Sequence, residues 1–198
     1  MEKVALNNIQ LDHLAGTNPS LSRVFYRTVP CDRLPRTLPD EGPSAFIVNT
    51  DPHDEPGTHW IALWTRGNVC EILDSYALPL KTYVTAEPLQ EWLDRHFKYL
   101  VSNGMSLQSL FSQSCGGYTL MYLIDRAEGR SMDYFLDRFK KKDYVNNHRK
   151  VGQMLKRLIV QDVTWSKICE TPCHQDTCGS SKGMLFFKMK RFNKELSV

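Results

Sequence analysis

Residues 59–74, HWIALWTRGNVCEILD, read as two strands, His59 to Thr65 and Val69 to Asp74, joined through Arg66-Gly67-Asn68. Two apolar runs separated by so short an interruption, with the turn-forming pair Gly-Asn inside it, are the signature of a hairpin. The pairing decides what lies beside what. If Arg66 and Gly67 are the two loop residues, His59 lies directly opposite Asp74; if Gly67 and Asn68 are, Asp74 faces Ile61, one diagonal step from His59. Both registers bring a carboxylate near an imidazole. An Asp that accepts a bond from one ring N–H sets the tautomer and stabilises the imidazolium, the orienting role in a nucleophile, base and orienter arrangement.

Upstream of the hairpin, Ser44 to Asn49 (SAFIVN) is a short apolar, β-branched run and reads as a further buried strand. Residues 28–44 hold Pro30, Pro35, Pro39 and Pro43 and read as an ordered loop, as do residues 50–57 with Pro52 and Pro56. After Pro79 the period changes. Leu89, Trp92, Leu93, Phe97 and Leu100 fall at helical spacing behind Thr85 as a cap. A second helix over Cys115 to Glu128 has YTLMYLI at its centre, apolar all round but for Thr119, which places it in the middle of the fold. Ser131 caps a third helix burying Phe135, Leu136 and Phe139, and Val151, Met154, Leu155, Leu158 and Ile159 define a fourth. The main domain is therefore expected over 1–160. Residues 161–198 form a tail without a periodic apolar face.

Composition narrows the classes. The chain of 198 residues suits one domain with an extension, since domains average about 150 residues. With 41% apolar and 24% charged residues it has material for a core, which excludes disorder as its main state. The net charge of +3 is too small to announce a nucleic-acid binder without local clusters. No stretch approaches the roughly 20 apolar residues of a membrane span, and residues 1–16 lack the apolar centre of a signal peptide. Six cysteines are too sparse for a secreted disulfide scaffold, so the expected setting is reducing and intracellular, where free thiols are available for chemistry.

One thiol stands out. Cys115 opens the apolar helix, where unpaired N–H groups and the positive end of the dipole favour the thiolate. Gly116 and Gly117 follow it and are expected to let a substrate backbone approach. Upstream, Gln108 and Gln113 sit in a polar loop, and a side-chain amide there could join the Cys115 N–H as an oxyanion donor.

The order His59-Trp60, Asp74-Ser75, Gln108, Cys115-Gly116 resembles the adenain-like (adenovirus endopeptidase) cysteine proteases and their relatives, the SUMO-deconjugating peptidases. Ile47-Val48-Asn49-Thr50 before GTHW adds to the likeness, and the GTHW, LDSY and CGGY contexts look like proteases of Maverick/Polinton elements and adintovirus-like genomes. The resemblance covers roughly residues 20–160. It implies an α+β papain-like cysteine peptidase fold, with a central helix carrying the nucleophile packed on a mixed or antiparallel sheet. It also implies a Cys115-His59-Asp74 triad. Gln108, seven residues before Cys115, would be the oxyanion donor, with Gln113 in reserve. The implied substrates are capsid or core precursors of a virus or transposon, cut near Gly or other small residues in the host nucleus and the virion. A monomer needing no cofactor for its chemistry, with DNA or a peptide as activator and no membrane, completes that expectation. Two departures are visible. Adenain has a glutamate where Asp74 stands here, and the family's activator-linked cysteine aligns with Phe97. An acyltransferase on a related scaffold and a catalytically idle structural or DNA-binding module are the alternative readings.

Two clusters remain. Cys169, Cys173, His174 and Cys178 lie within ten residues and offer thiolate and imidazole ligands for zinc, though cramped and in no standard spacing. Lys140, Lys141, Lys142, Arg149, Lys150, Lys156 and Arg157 gather across the last two helices. That is either a solvated face or a surface for a phosphate backbone. His13, His53, His96 and His148 are read as structural or surface residues.

Overall fold

The computed structural model describes residues 5–39, 42–162, 164, 165 and 168. Ten elements alternate along it: helix α1 (Asn8–Thr17), strands β1 (Phe25–Pro30), β2 (Pro43–Asn49), β3 (Trp60–Arg66) and β4 (Val69–Leu73), helix α2 (Glu87–His96), strand β5 (Tyr99–Ser102), and helices α3 (Cys115–Ala127), α4 (Met132–Leu136) and α5 (Tyr144–Gln161). The five strands form one sheet in the order β1-β2-β3-β4-β5. The central pairs β2/β3 and β3/β4 are antiparallel, while both edges, β1 on β2 and β5 on β4, are parallel.

Strand chemistry follows from layering. Ala45 and Ile47 of β2 and Ala62 and Trp64 of β3 pack on one face with α1, α3, α4 and α5. Their neighbours Phe46, Val48, Ile61 and Leu63 pack on the other with Leu89, Trp92 and Leu93 of α2. A strand buried on both faces needs apolar residues at every position, which is why SAFIV and WIALW run without alternation. The α3 segment from Cys115 to Leu120 is buried throughout, with Tyr118 and Tyr122 fully so. Among the described residues, no helix is long and apolar enough to cross a membrane.

The hairpin takes the second of its two registers. Arg66 pairs with Val69 and Ala62 with Leu73, so Gly67 and Asn68 make the turn, and Gly67 alone of the two has a positive φ, +57°. A positive φ at the first central position only is the II′ turn, which suits the twist of paired strands.

Other local expectations are corrected. Thr85 does not cap α2: its hydroxyl binds Thr50 O and the Asp51 carboxylate, and the helix starts with Pro88 in its first turn instead. The helical run stops at His96, because Leu100 belongs to edge strand β5, paired with β4 residues thirty positions earlier. The proline-rich stretch contributes Pro30 and Pro43 to strand ends, where a missing N–H is tolerated. Helix α1, begun by an Asn7/Gln10 capping box, carries little periodic signal because only Leu11, Leu14 and Ala15 bury against the core.

Candidate active site

At one end of the sheet β3 begins and β4 and β5 end, and the N-terminus of α3 meets them there. His59 immediately precedes β3 and Asp74 immediately follows β4; both are buried, and His59 Nε2 lies 2.7 Å from Asp74 Oδ1. The diagonal step of the hairpin thus becomes a direct hydrogen bond. His59 Nδ1 is buried and has no hydrogen-bond partner of its own among the described residues, and the Cys115 side chain interacts with this imidazole. Cys115 is the first residue of α3, with backbone N–H groups of Trp60 and Gly116 directed at its sulfur.

Electrostatics makes these three groups one unit. Burial disfavours the His59 imidazolium, but the charge and hydrogen bond of Asp74, with the Cys115 side chain, outweigh it and raise His59 from 6.5 to about 9. Burial likewise opposes ionisation of Cys115, yet His59 and the two N–H groups bring its thiol below the ordinary value. Asp74 is lowered against its own burial by His59, Tyr83 and the Tyr76 N–H. The arrangement favours a thiolate–imidazolium pair at neutral pH. The other described cysteines behave oppositely. Burial, then Asp32 and Asp51, push Cys31 up to about 12, and burial followed by Glu71 raises Cys70 further.

The loop after β4 wraps the Asp74 carboxylate. Tyr76 N–H donates to Oδ1 at 2.8 Å, Leu78 N–H to Oδ2 at 3.0 Å, and the Tyr83 hydroxyl to Oδ2 at 2.7 Å. Ala77 takes a positive φ of 53° inside this wrap, a conformation costing an L-residue about 1–2 kcal/mol. Asn103, just beyond β5, grips the Asp74 backbone through both N–H and C=O. The rings of Tyr76 and Tyr83 stack on His59 with centroids 4.2 and 5.5 Å away. Sequence reasoning missed Tyr83 and Asn103, which carry no motif; Tyr76 stood in the LDSY context without a role.

The two glutamines separate by burial. Gln113 is exposed, whereas Gln108 is 1% exposed and its Nε2 has no hydrogen-bond partner among the described residues. Its Oε1 accepts from the Ser114 hydroxyl at 3.0 Å. The buried amide also interacts with the Tyr76 side chain, which feels Cys115 as well, so it stands at the nucleophile's end of the site. The glycine expectation is corrected: Gly116 and Gly117 are buried, and a Cβ on Gly116 would point at Leu6 and Leu11, 3.4 Å away. Gly116 serves the packing of α1 on α3.

Gly57 carries a stricter constraint. A Cβ there would lie 2.0 Å from Nδ2 of buried Asn49, whose Oδ1 holds the Asp51 N–H. Gly57→Ala must displace Asn49 and, with it, the turn that delivers His59. The expected loss is about 1–3 kcal/mol, the range for overpacking. A drop in thermal midpoint checks it, and an unchanged midpoint contradicts it.

The remaining expectations find their places. Lys140, Lys141 and Lys142 in the α4–α5 loop and Arg149, Lys150, Lys156 and Arg157 on α5 are all exposed. The α5 four recur at seven-residue intervals as one stripe. Each of the four further histidines has a partner: His13 with Asp162, His53 with Asp32, His96 with Trp92 O and Arg36 O, His148 with Ser114. Phe97 is buried beside Trp92 under the sheet. Cys169, Cys173, His174 and Cys178 lie outside the described residues; among the described ones, no group of three or more His, Cys, Asp or Glu is placed to hold a metal ion.

No protein-family model matches the chain, and no curated protein matches it in sequence. Among solved structures, the pS273R protease of African swine fever virus (ASFV) superposes with a TM-score of 0.50 at 16% identity, covering 73% of this chain and 66% of that one. The selenomethionine form of the same protease gives a TM-score of 0.32 at 21% identity, covering 54% of this chain and 42% of that one. The chain thus spans just under two thirds of the length of the first of these. What the superposition shows is the fold, shared with that protease: α+β, with a central helix packed on a mixed sheet.

Proposed function

We propose that this protein is a cysteine endopeptidase. The observation that carries the proposal is the buried Cys115 at the N-terminus of α3, interacting with an imidazole whose far nitrogen is held by Asp74 at 2.7 Å. The Cys115 thiolate attacks the scissile carbonyl carbon, a C–S bond forms and the carbonyl electrons move to oxygen. Gln108 Nε2 and the Cys115 N–H receive that oxyanion. The His59 imidazolium gives its Nδ1 proton to the leaving amine as the C–N bond breaks. Neutral His59 then takes a proton from water, the hydroxide attacks the thioester, and collapse restores thiolate and imidazolium. No cofactor enters these steps.

The adenain-like motif order supports a finer reading. The substrates are capsid or core precursors of a virus or a Maverick/Polinton-type element, cut near Gly or small residues in host nucleus and virion by a monomeric enzyme. Co-expression with such precursors, followed by mass spectrometry of new N-termini, tests it. Termini that appear with the wild type and not with Cys115→Ala are expected. Acyl transfer to an added amine without hydrolysis would instead support an acyltransferase, and a Cys115 inert to thiol-directed peptide electrophiles an idle module.

The exposed basic residues of the α4–α5 loop and of α5 support duplex DNA as an activator. Phe97 offers no thiol for a disulfide-linked peptide activator, so a nucleic acid is the better-supported partner. Backbone binding releases counterions, so stimulation of precursor cleavage should be independent of sequence and fall steeply with salt. Lys140→Glu, Lys141→Glu and Lys142→Glu together are expected to abolish it. Identical turnover with and without DNA across a salt series would leave this basic face as solvated surface.

A further inference from the structure

We infer that Ser114, backed by Ser112 and His148, is the positioning residue that aims the Gln108 amide at the oxyanion. The inference rests on the peptidase reading and deepens it. A glutamine amide has a donor end and an acceptor end of nearly the same shape. Which end faces the reaction depends on what holds the other. Here the other end is held from inside the protein: fully buried Ser114 donates to Gln108 Oε1 at 3.0 Å.

A serine hydroxyl has one proton and two lone pairs, so its neighbours decide where that proton goes. Ser114 Oγ has three of them: Gln108 Oε1, Ser112 Oγ at 2.6 Å and His148 Nδ1 at 3.3 Å. When Ser112 and the Nδ1–H of His148 donate, both lone pairs are filled and the proton can go only to Gln108. The amide oxygen is then pinned inward and Nε2 is left at the other end, buried, on the side where the Gln108 side chain interacts with Tyr76 and Tyr76 feels Cys115. A reversed amide would set its carbonyl oxygen against the developing negative charge.

The relay is anchored by α5. Asn147, the residue before His148, is buried and donates from Nδ2 to Leu107 O at 3.1 Å, next to Gln108. Tyr118 OH of α3 donates to that same carbonyl at 3.2 Å. The Leu107 and Gln108 N–H groups both donate to Ser75 O, immediately after Asp74. The glutamine loop is therefore bolted between the Asp74 segment, α3 and the first turns of α5.

The test uses the full chain and a peptide that the wild-type enzyme cuts, drawn from a proteome-derived library. Gln108→Ala is expected to lower kcat on the order of 100-fold, the loss seen for a single oxyanion donor. Ser114→Ala should lower kcat about tenfold, roughly one hydrogen bond, with KM unchanged. In the Gln108→Ala background Ser114→Ala should be silent, and His148→Ala likewise, because nothing remains for them to aim. Alkylation of Cys115 by iodoacetamide forms no oxyanion, so in Ser114→Ala its rate should stay within about twofold of the wild type. Wild-type kcat in Ser114→Ala overturns the inference. So does a double variant slowed by the product of the single effects, or alkylation that falls in step with turnover. A wild-type protein that alkylates at Cys115 yet cuts no peptide in the library overturns the peptidase reading itself, and this inference with it.

Discussion

Cys115→Ala is expected to reduce peptide hydrolysis to background, a loss on the order of 10⁶-fold, as when the nucleophile of a triad is removed. The size follows from the chemistry, because no other group at this site can form the acyl intermediate. Cys31 and Cys70 are buried with raised pKa values, Cys31 packed among Val29 and the α2 side of the sheet rather than beside His59. The substitution removes one buried sulfur and leaves the His59–Asp74 hydrogen bond in place, so the fold should persist. Site-resolved mass spectrometry after iodoacetamide treatment checks both halves. Label at Cys115 should be lost, Cys31 and Cys70 should stay unlabelled in the folded protein, and the thermal midpoint should move little. Hydrolysis that survives Cys115→Ala would contradict the assignment of the nucleophile.

Asp74→Asn should lower kcat on the order of 10⁴-fold, the effect of leaving the imidazole in place but without its carboxylate. The carboxylate here accepts four hydrogen bonds, from His59, Tyr76 N–H, Leu78 N–H and Tyr83 OH. An amide offers one oxygen and turns an NH₂ toward donors, so part of that wrap is lost as well. The pH profile separates the electrostatic part. His59 is raised above its ordinary 6.5 to about 9, so the stability it contributes is fully present below 6.5 and is lost as pH rises through about 9. Activity that needs the imidazolium should fall over the same window. Without the Asp74 charge, only the Cys115 side chain still opposes burial, and the ring drops from its raised value. The basic limb of kcat/KM should therefore move to lower pH in Asp74→Asn. An unmoved basic limb would mean that Asp74 holds the ring without tuning it.

Much of this site was legible because it is local. The hairpin places His59 and Asp74 within fifteen residues of each other, and pairing in a two-residue turn restricts them to one of two registers. Choosing between the registers took the turn itself, since Arg66-Gly67 and Gly67-Asn68 both suit a tight loop and the positive φ of Gly67 fits either. The nucleophile's helix was legible for a related reason. Seven residues apolar all round but for Thr119 can be satisfied only in the middle of a fold, so Cys115 had to start a buried helix. Gln108 and Gln113 were not separable by residue type. Only packing made one buried with an unpartnered nitrogen and left the other in solvent.

What the sequence determined by itself is the set of elements whose signal is carried by their own residues: the hairpin, the doubly buried strand SAFIVN, the core helix and the capped α4. Each has an apolar period or a turn whose energetics close within about a dozen residues. Tertiary structure decided whatever depends on partners far along the chain. Edge strands β1 and β5 owe their form to parallel pairing across intervening segments, and β5 buries neither face, so no periodicity announced it. The meeting of Cys115 with His59 is of that kind too: they stand fifty-six positions apart, and only the packing of α3 against β3 brings the thiol to the ring. So is the closure of Tyr83 and Asn103 on Asp74 and of Ser114 on Gln108. Those are single hydrogen bonds between polar residues, and a polar residue in a loop reveals its partner only when the chain has folded and water has been removed from between them.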